Sequence, residues 1–296
     1  MRIASHAPSR SAGLRAWVVC LGCGLALFTV MGLGVNAFTV YQPYLLRVHG
    51  FTNAQGSWIT TVRSLFALLS MLTVDRLCRR LGLRNTMVLG MACFVGSYLL
   101  FGFARGFSAY CGGAVLSGLA YGYGGMIPLT LVISRWFPTG RGFALGMAAA
   151  GSGISTIFAP PLITGAIQAL GLSAAFLWEA AAGVLLTLLV LLLVWDSPDC
   201  PELQRAGDSA PGGRGGGAEP PPVLGMVLLS AFLTGGPCGP GFSHLTVLYT
   251  SAGFSSGTAA LLMSYLGLVL IPPRCSTDGS ATAWAAGWPN SLIFGV

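Results

Sequence analysis

Apolar residues in this chain fall into long continuous runs, without the every-second-residue alternation of a half-buried strand. Eight runs have the length that a ~30 Å hydrocarbon layer demands of a spanning helix. They cover residues 16–40, 56–74, 86–104, 109–133, 143–168, 172–195, 223–248 and 256–272, the last being short. Most connections between them are brief. Residues 196–222 are the exception: Asp196, Asp199, Glu202, Asp208 and Glu219 lie among Pro, Gly and Ser, including GGRGGG and Pro220-Pro221-Pro222. Such a segment reads as a flexible hydrophilic linker. The pattern predicts an all-α membrane protein with six spans in residues 1–195, a linker over 196–222, and two more spans in 223–272.

Composition agrees with the pattern. Of 296 residues 54% are hydrophobic and 8% charged, and the mean hydropathy is +0.76. Soluble domains carry about a quarter charged residues, so most of this surface faces lipid. The net charge of +7 comes from fifteen basic residues, all arginine, and most flank apolar runs, which argues against a nucleic-acid face. Without lysine there is no phosphate-loop or Schiff-base lysine. HExxH, GxSxG and paired intramembrane aspartates are also missing, so an enzyme is not expected. No cofactor or metal is expected either. The cysteines (Cys20, Cys23, Cys78, Cys93, Cys111, Cys200, Cys238 and Cys275) read as small apolar packing residues.

Arginine counting sets the expected orientation. With the N-terminus inside, inner segments hold Arg2, Arg10, Arg15, Arg76, Arg79, Arg80, Arg84, Arg135, Arg141, Arg205 and Arg214, and outer loops hold Arg47 and Arg105. This bias places the N-terminus and the linker in the cytoplasm, and a plasma (cytoplasmic, or cell inner) membrane is the expected location.

Two segments carry a resemblance. The second span ends in Asp75-Arg76 and runs into DRLCRRLGLRN, which resembles the signature between helices 2 and 3 of major facilitator transporters. It departs in having Met71 for the usual glycine and extra residues before Gly82. Residues Arg135 to Ser155, RWFPTGRGFALGMAAAGSGIS, look like the monocarboxylate and oxalate–formate branch of that superfamily. The resemblance implies two six-helix repeats moving by alternating access, carrying a small solute coupled to protons or a counter-anion. It also implies a conformational latch at Asp75, with Arg76, Arg79 and Arg135 as partners. The alternative for these arginines is topology alone. That branch has basic substrate residues in helices 8 and 11. Span 8 here has none and no helix 11 follows, so an anionic cargo rests on Arg63.

Three ionisable residues fall inside spans: Arg63, Glu179 and His244. A charge at that depth costs ~2.5–3.5 kcal/mol or more, so each requires a cavity or a partner. Arg63 is the expected counter-charge for an anion such as a monocarboxylate, and an Arg63–Glu179 pair or snorkelling is the alternative. His244 is either a proton relay or a packing residue. Asn36, Tyr41 and Gln42 could line the same cavity. Small residues at four-residue spacing, Gly118 with Gly122 and Gly142 with Gly146, together with Gly151 and Gly153, predict close helix contacts. Pro160-Pro161, and Pro237 with Pro240, predict kinks or breaks.

After Ile271 the sequence turns polar, with no helical period, so 273–296 read as an aberrant tail. Read from the third base, the codons for Ser276 to Ala285 permit Tyr-Gly-Trp-Leu-Gly-Asp-Arg-Leu-Gly. A frameshift with loss of the remaining second half is one expectation, and the gene's nucleotide sequence decides it. Three functions compete: a secondary transporter of a small solute, a transport-inactive truncated or frameshifted piece of one, and a membrane receptor or scaffold.

Overall fold

The computed structural model describes residues 10–137 and 141–195, with isolated positions between 248 and 265. Apart from those positions, spans 7 and 8 lie outside the described residues, as do the linker, the tail, His244, Pro237 and Pro240. Within them are six helices long and apolar enough to cross a membrane, matching the first six expected spans. Helix α1 is a continuous rod in three parts: Arg10–Leu27, a π-helical stretch Phe28–Ala37, and Phe38–His49. Then follow α2 (Asn53–Leu81), α3 (Leu83–Phe103), α4 (Phe107–Gly124 and Met126–Trp136), α5 (Arg141–Leu170) and α6 (Leu172–Leu193).

Several helices outrun their apolar stretches. Helix α1 continues past the expected end at 40 because Tyr41, Gln42 and Leu45 are buried against its neighbours. Helix α2 begins at a capping box, in which the Thr52 hydroxyl accepts from the Gln55 N–H and the Gln55 side chain accepts from the Thr52 N–H. Two orphan donors are thus satisfied at the helix start. Thr52→Ala should cost about 1 kcal/mol, measured as a lower thermal unfolding midpoint. At its other end α2 stops at Gly82, whose φ of 86° favours glycine and whose N–H donates to the Cys78 carbonyl.

Helix α4 packs tightly between α2 and α3, α6 lies against α3 and α1, and α5 lies against α1. Glycine makes the α4 contacts possible. A Cβ on Gly118 would overlap the Arg63 carbonyl of α2, one on Gly122 would overlap Ser70, and one on Gly90 of α3 would overlap the backbone of Gly124. Gly151 of α5 meets the Gly24 backbone of α1 in the same way. Close approaches of this kind let helices associate where lipid supplies no hydrophobic drive. Cys20 and Cys23 are buried and free, with the Cys20 thiol donating to the Ala144 carbonyl, which is a packing role.

Of the expected kink or break at Pro160-Pro161, a break is not seen, since α5 runs through both prolines from Arg141 to Leu170. Neighbouring helices can hold a proline-bearing turn in helical geometry, and Ala159, Pro160 and Ile163 are buried among them. The irregularities fall instead in α1, at the π stretch, and in α4, where Gly125 at φ −88° and ψ −150° separates two helical pieces.

Candidate functional site

The π stretch of α1 meets one intramembrane charge, Arg63, and the helical piece just after it meets the other, Glu179. Widened turns of this kind recur at functional sites, and here the turn offers the carbonyls of Leu33 and Gly34 to side chains of other helices. The Tyr98 hydroxyl of α3 donates to the Leu33 carbonyl at 3.0 Å. An Arg63 guanidinium nitrogen of α2 donates to the Gly34 carbonyl at 3.4 Å. The Arg63 guanidinium also lies over the Phe38 ring, 5.1 Å from its centroid, within cation–π range.

Arg63 is 8% exposed. Its guanidinium has five N–H donors, and among the described residues one long hydrogen bond and one aromatic face serve them. Among the described residues no carboxylate lies within ion-pairing distance, so the alternative of an Arg63–Glu179 pair is not seen there. Glu179 is fully buried and its Oε2 accepts from the Tyr41 hydroxyl at 2.6 Å. The Tyr41 ring stacks on Phe176 of α6, with centroids 4.1 Å apart, and meets Tyr98 edge-on at 6.4 Å. Phe38 and Phe101 complete the aromatic cluster.

The other candidates separate. Gln42 is buried on the same helix, its amide nitrogen near Gly56 of α2. The Asn36 amide donates to Thr156 Oγ1 of α5 at 2.8 Å, and Thr156 in turn donates to the Ser152 carbonyl. Asn36 thus ties α1 to α5. Sequence reasoning missed Phe38 and Tyr98, since an aromatic residue inside an apolar run carries no mark of what it faces.

At the far end of α2, Asp75 pairs with Arg79 one turn on, and both side chains are well exposed. Arg76 and Arg135 are not within ion-pairing distance of Asp75. Arg135 instead borders a small depression with Arg84, Trp136 and Trp195, where Arg84 donates to the Leu191 carbonyl at 2.6 Å.

Comparison with known proteins identifies the architecture. The family model described as Major Facilitator Superfamily matches residues 22–281. The MFS-type transporter pynF of Aspergillus niger is 26% identical over 51% of this chain and 35% of its own length. The MFS-type transporter hasB of Aspergillus fumigatus is 27% identical over 67% and 44%. The aspyridones efflux protein apdF of Emericella nidulans is 28% identical over 52% and 31%. The chain thus matches less than half the length of each of these curated relatives. Among solved structures, a D-xylose–proton symporter shares the fold with a TM-score of 0.66 at 14% identity, over 90% of this chain and 68% of that one. A helical bundle of this topology, matched by the family model over most of its length, makes the chain a member of the Major Facilitator Superfamily, whose named relatives here are transporters rather than enzymes.

Proposed function

We propose that the chain handles a small organic anion, such as a monocarboxylate, in secondary active transport by alternating access. The observation that supports this most directly is Arg63, a buried guanidinium with a single 3.4 Å hydrogen bond among the described residues. A cation kept at membrane depth without a carboxylate is costly unless an anionic ligand completes it. Phe38 and Tyr98 give the site one apolar and one polar wall, which suits a ligand with a carboxylate head and a short apolar body. The resemblance of residues 135–155 to the monocarboxylate and oxalate–formate branch points the same way. We place the N-terminus and the central linker in the cytoplasm, on the arginine bias, and the protein in the plasma membrane.

The test is binding of acetate, lactate, oxalate and benzoate to the purified chain in lipid, followed by uptake into proteoliposomes. Binding of at least one of them is the expected result. Failure of all four, with a neutral sugar bound instead, would overturn the anion assignment.

We also propose that Asp75 is the conformational latch, with Arg76, Arg79 and Arg135 as its candidate partners and Arg79 the one paired with it here. The pair is exposed and intrahelical, so it adds only about 0.3–0.5 kcal/mol to stability. Asp75→Asn should leave the thermal midpoint nearly unchanged while altering the uptake rate. A midpoint shift with a normal rate would make the pair structural only.

A further inference from the structure

Glu179 has half of its hydrogen-bonding capacity satisfied. Oε2 accepts from Tyr41, whereas Oε1 is buried with no partner, and among the described residues no cation lies within ion-pairing distance. The titratable groups nearest it are Tyr41 from α1 and Tyr98 from α3, which is within electrostatic reach of both Glu179 and Arg63. Helix α5 contributes Phe158, Ala159, Leu162 and Ile163 to the neighbouring wall, none of them titratable. Beside the carboxyl lies an apolar cavity of about 110 Å³, bordered by Glu179, Leu33, Ala159 and Ile163 among others. The surface of this cavity is wholly apolar, so the carboxyl oxygens of Glu179 do not open into it in this conformation.

A tyrosine hydroxyl both donates and accepts. Tyr41 can donate to an ionised Glu179 and accept from a protonated one, so this contact survives a change of protonation state. Its ring is fixed by the stack on Phe176, so it is the carboxyl that adjusts. An arginine at the same place would hold only the ionised form, and an aliphatic neighbour would hold neither well.

We propose that Glu179, held by Tyr41, is a proton-carrying site of the six-helix bundle, and that α1 couples its load to the anion at Arg63. A hydronium ion on one side gives its proton to the carboxylate, and the carboxylic acid returns it to water on the other. No electron moves. The coupling route is short: Tyr41 touches Tyr98, Tyr98 bonds the Leu33 carbonyl, and the next carbonyl, Gly34, holds Arg63. The coupling rests on the anion reading of Arg63, and the proton site itself does not.

Infrared difference spectra of the full chain in lipid, recorded across a pH titration, test the site. A protonated-carboxyl C=O band should disappear on alkalinisation, be absent in Glu179→Gln, and shift in frequency in Tyr41→Phe. The same band in Glu179→Gln, or no titrating band in the wild type, overturns the site. Coupling is read as proton uptake from weakly buffered solution on adding benzoate. The wild type should take up about one proton per bound anion and Glu179→Gln none. Equal uptake by both overturns the coupling. Benzoate binding by Arg63→Met at unchanged affinity would instead remove the anion reading, and the infrared result would still decide Glu179.

Discussion

Replacing Arg63 by methionine should weaken binding of a small carboxylate by about 10- to 100-fold, the worth of one or two hydrogen bonds to a charged group, while leaving the ligand-free protein at least as stable. Both halves follow from the same observation. The guanidinium is buried with one long hydrogen bond to the Gly34 carbonyl and the face of Phe38, so its desolvation is poorly repaid by protein contacts. Methionine fills similar volume, packs on Phe38 and removes that cost. A structural arginine would behave in the opposite way, its loss lowering the unfolding midpoint and leaving affinity alone. Arg63→Lys should fall between, because an ammonium keeps the charge and loses the planar fork that fits a carboxylate. Isothermal titration with lactate or benzoate, alongside thermal unfolding without ligand, separates these outcomes. An unchanged dissociation constant in Arg63→Met would sink the anion site.

How far the sequence reaches differs from element to element. Six spans were legible because lipid imposes a minimum apolar length, and no tertiary context relaxes it. Helix ends were less so. Helix α1 runs on to His49 and α2 to Leu81, where polar side chains are buried in the bundle or paired along the helix, and hydropathy does not register either. Arg63 and Glu179 stood out as charges in apolar runs, yet their partners did not. Opposite charges suggested a pair, whereas both settle on α1, one on a backbone carbonyl and the other on a phenol. The π stretch was invisible as well. Nothing in FTVMGLGVNA announces a widened turn, and α5 runs unbroken through its two prolines. The π stretch packs closely on its neighbours, with Ser155 of α5 at Gly32 and Phe94 of α3 at Gly34.

The second large effect is expected at the glycine seams. Gly118→Ala and Gly90→Ala each add one methyl group against backbone: the Arg63 carbonyl in the first case, Gly124 in the second. Backbone cannot rotate aside as a side-chain end can, so the helices must separate, at about 1–3 kcal/mol per site and a fall of about 2–4 °C in midpoint for each kcal/mol. Gly112→Ala and Gly165→Ala are the controls. A Cβ at either meets nothing within 4 Å, so helix propensity alone acts, with a gain of at most about 1 kcal/mol. The two seams should then differ in a second measurement. Gly118 touches the backbone of Arg63 itself, so moving α4 away from α2 displaces the guanidinium, and Gly118→Ala should lose carboxylate affinity as well as stability. Gly90→Ala strains the α3–α4 seam, away from that carbonyl, and should lose stability with much less change in affinity. Equal affinity losses at the two sites would mean that the bundle responds as one loosened body. A loss confined to Gly118→Ala would show that α4 positions the cation through this one close approach.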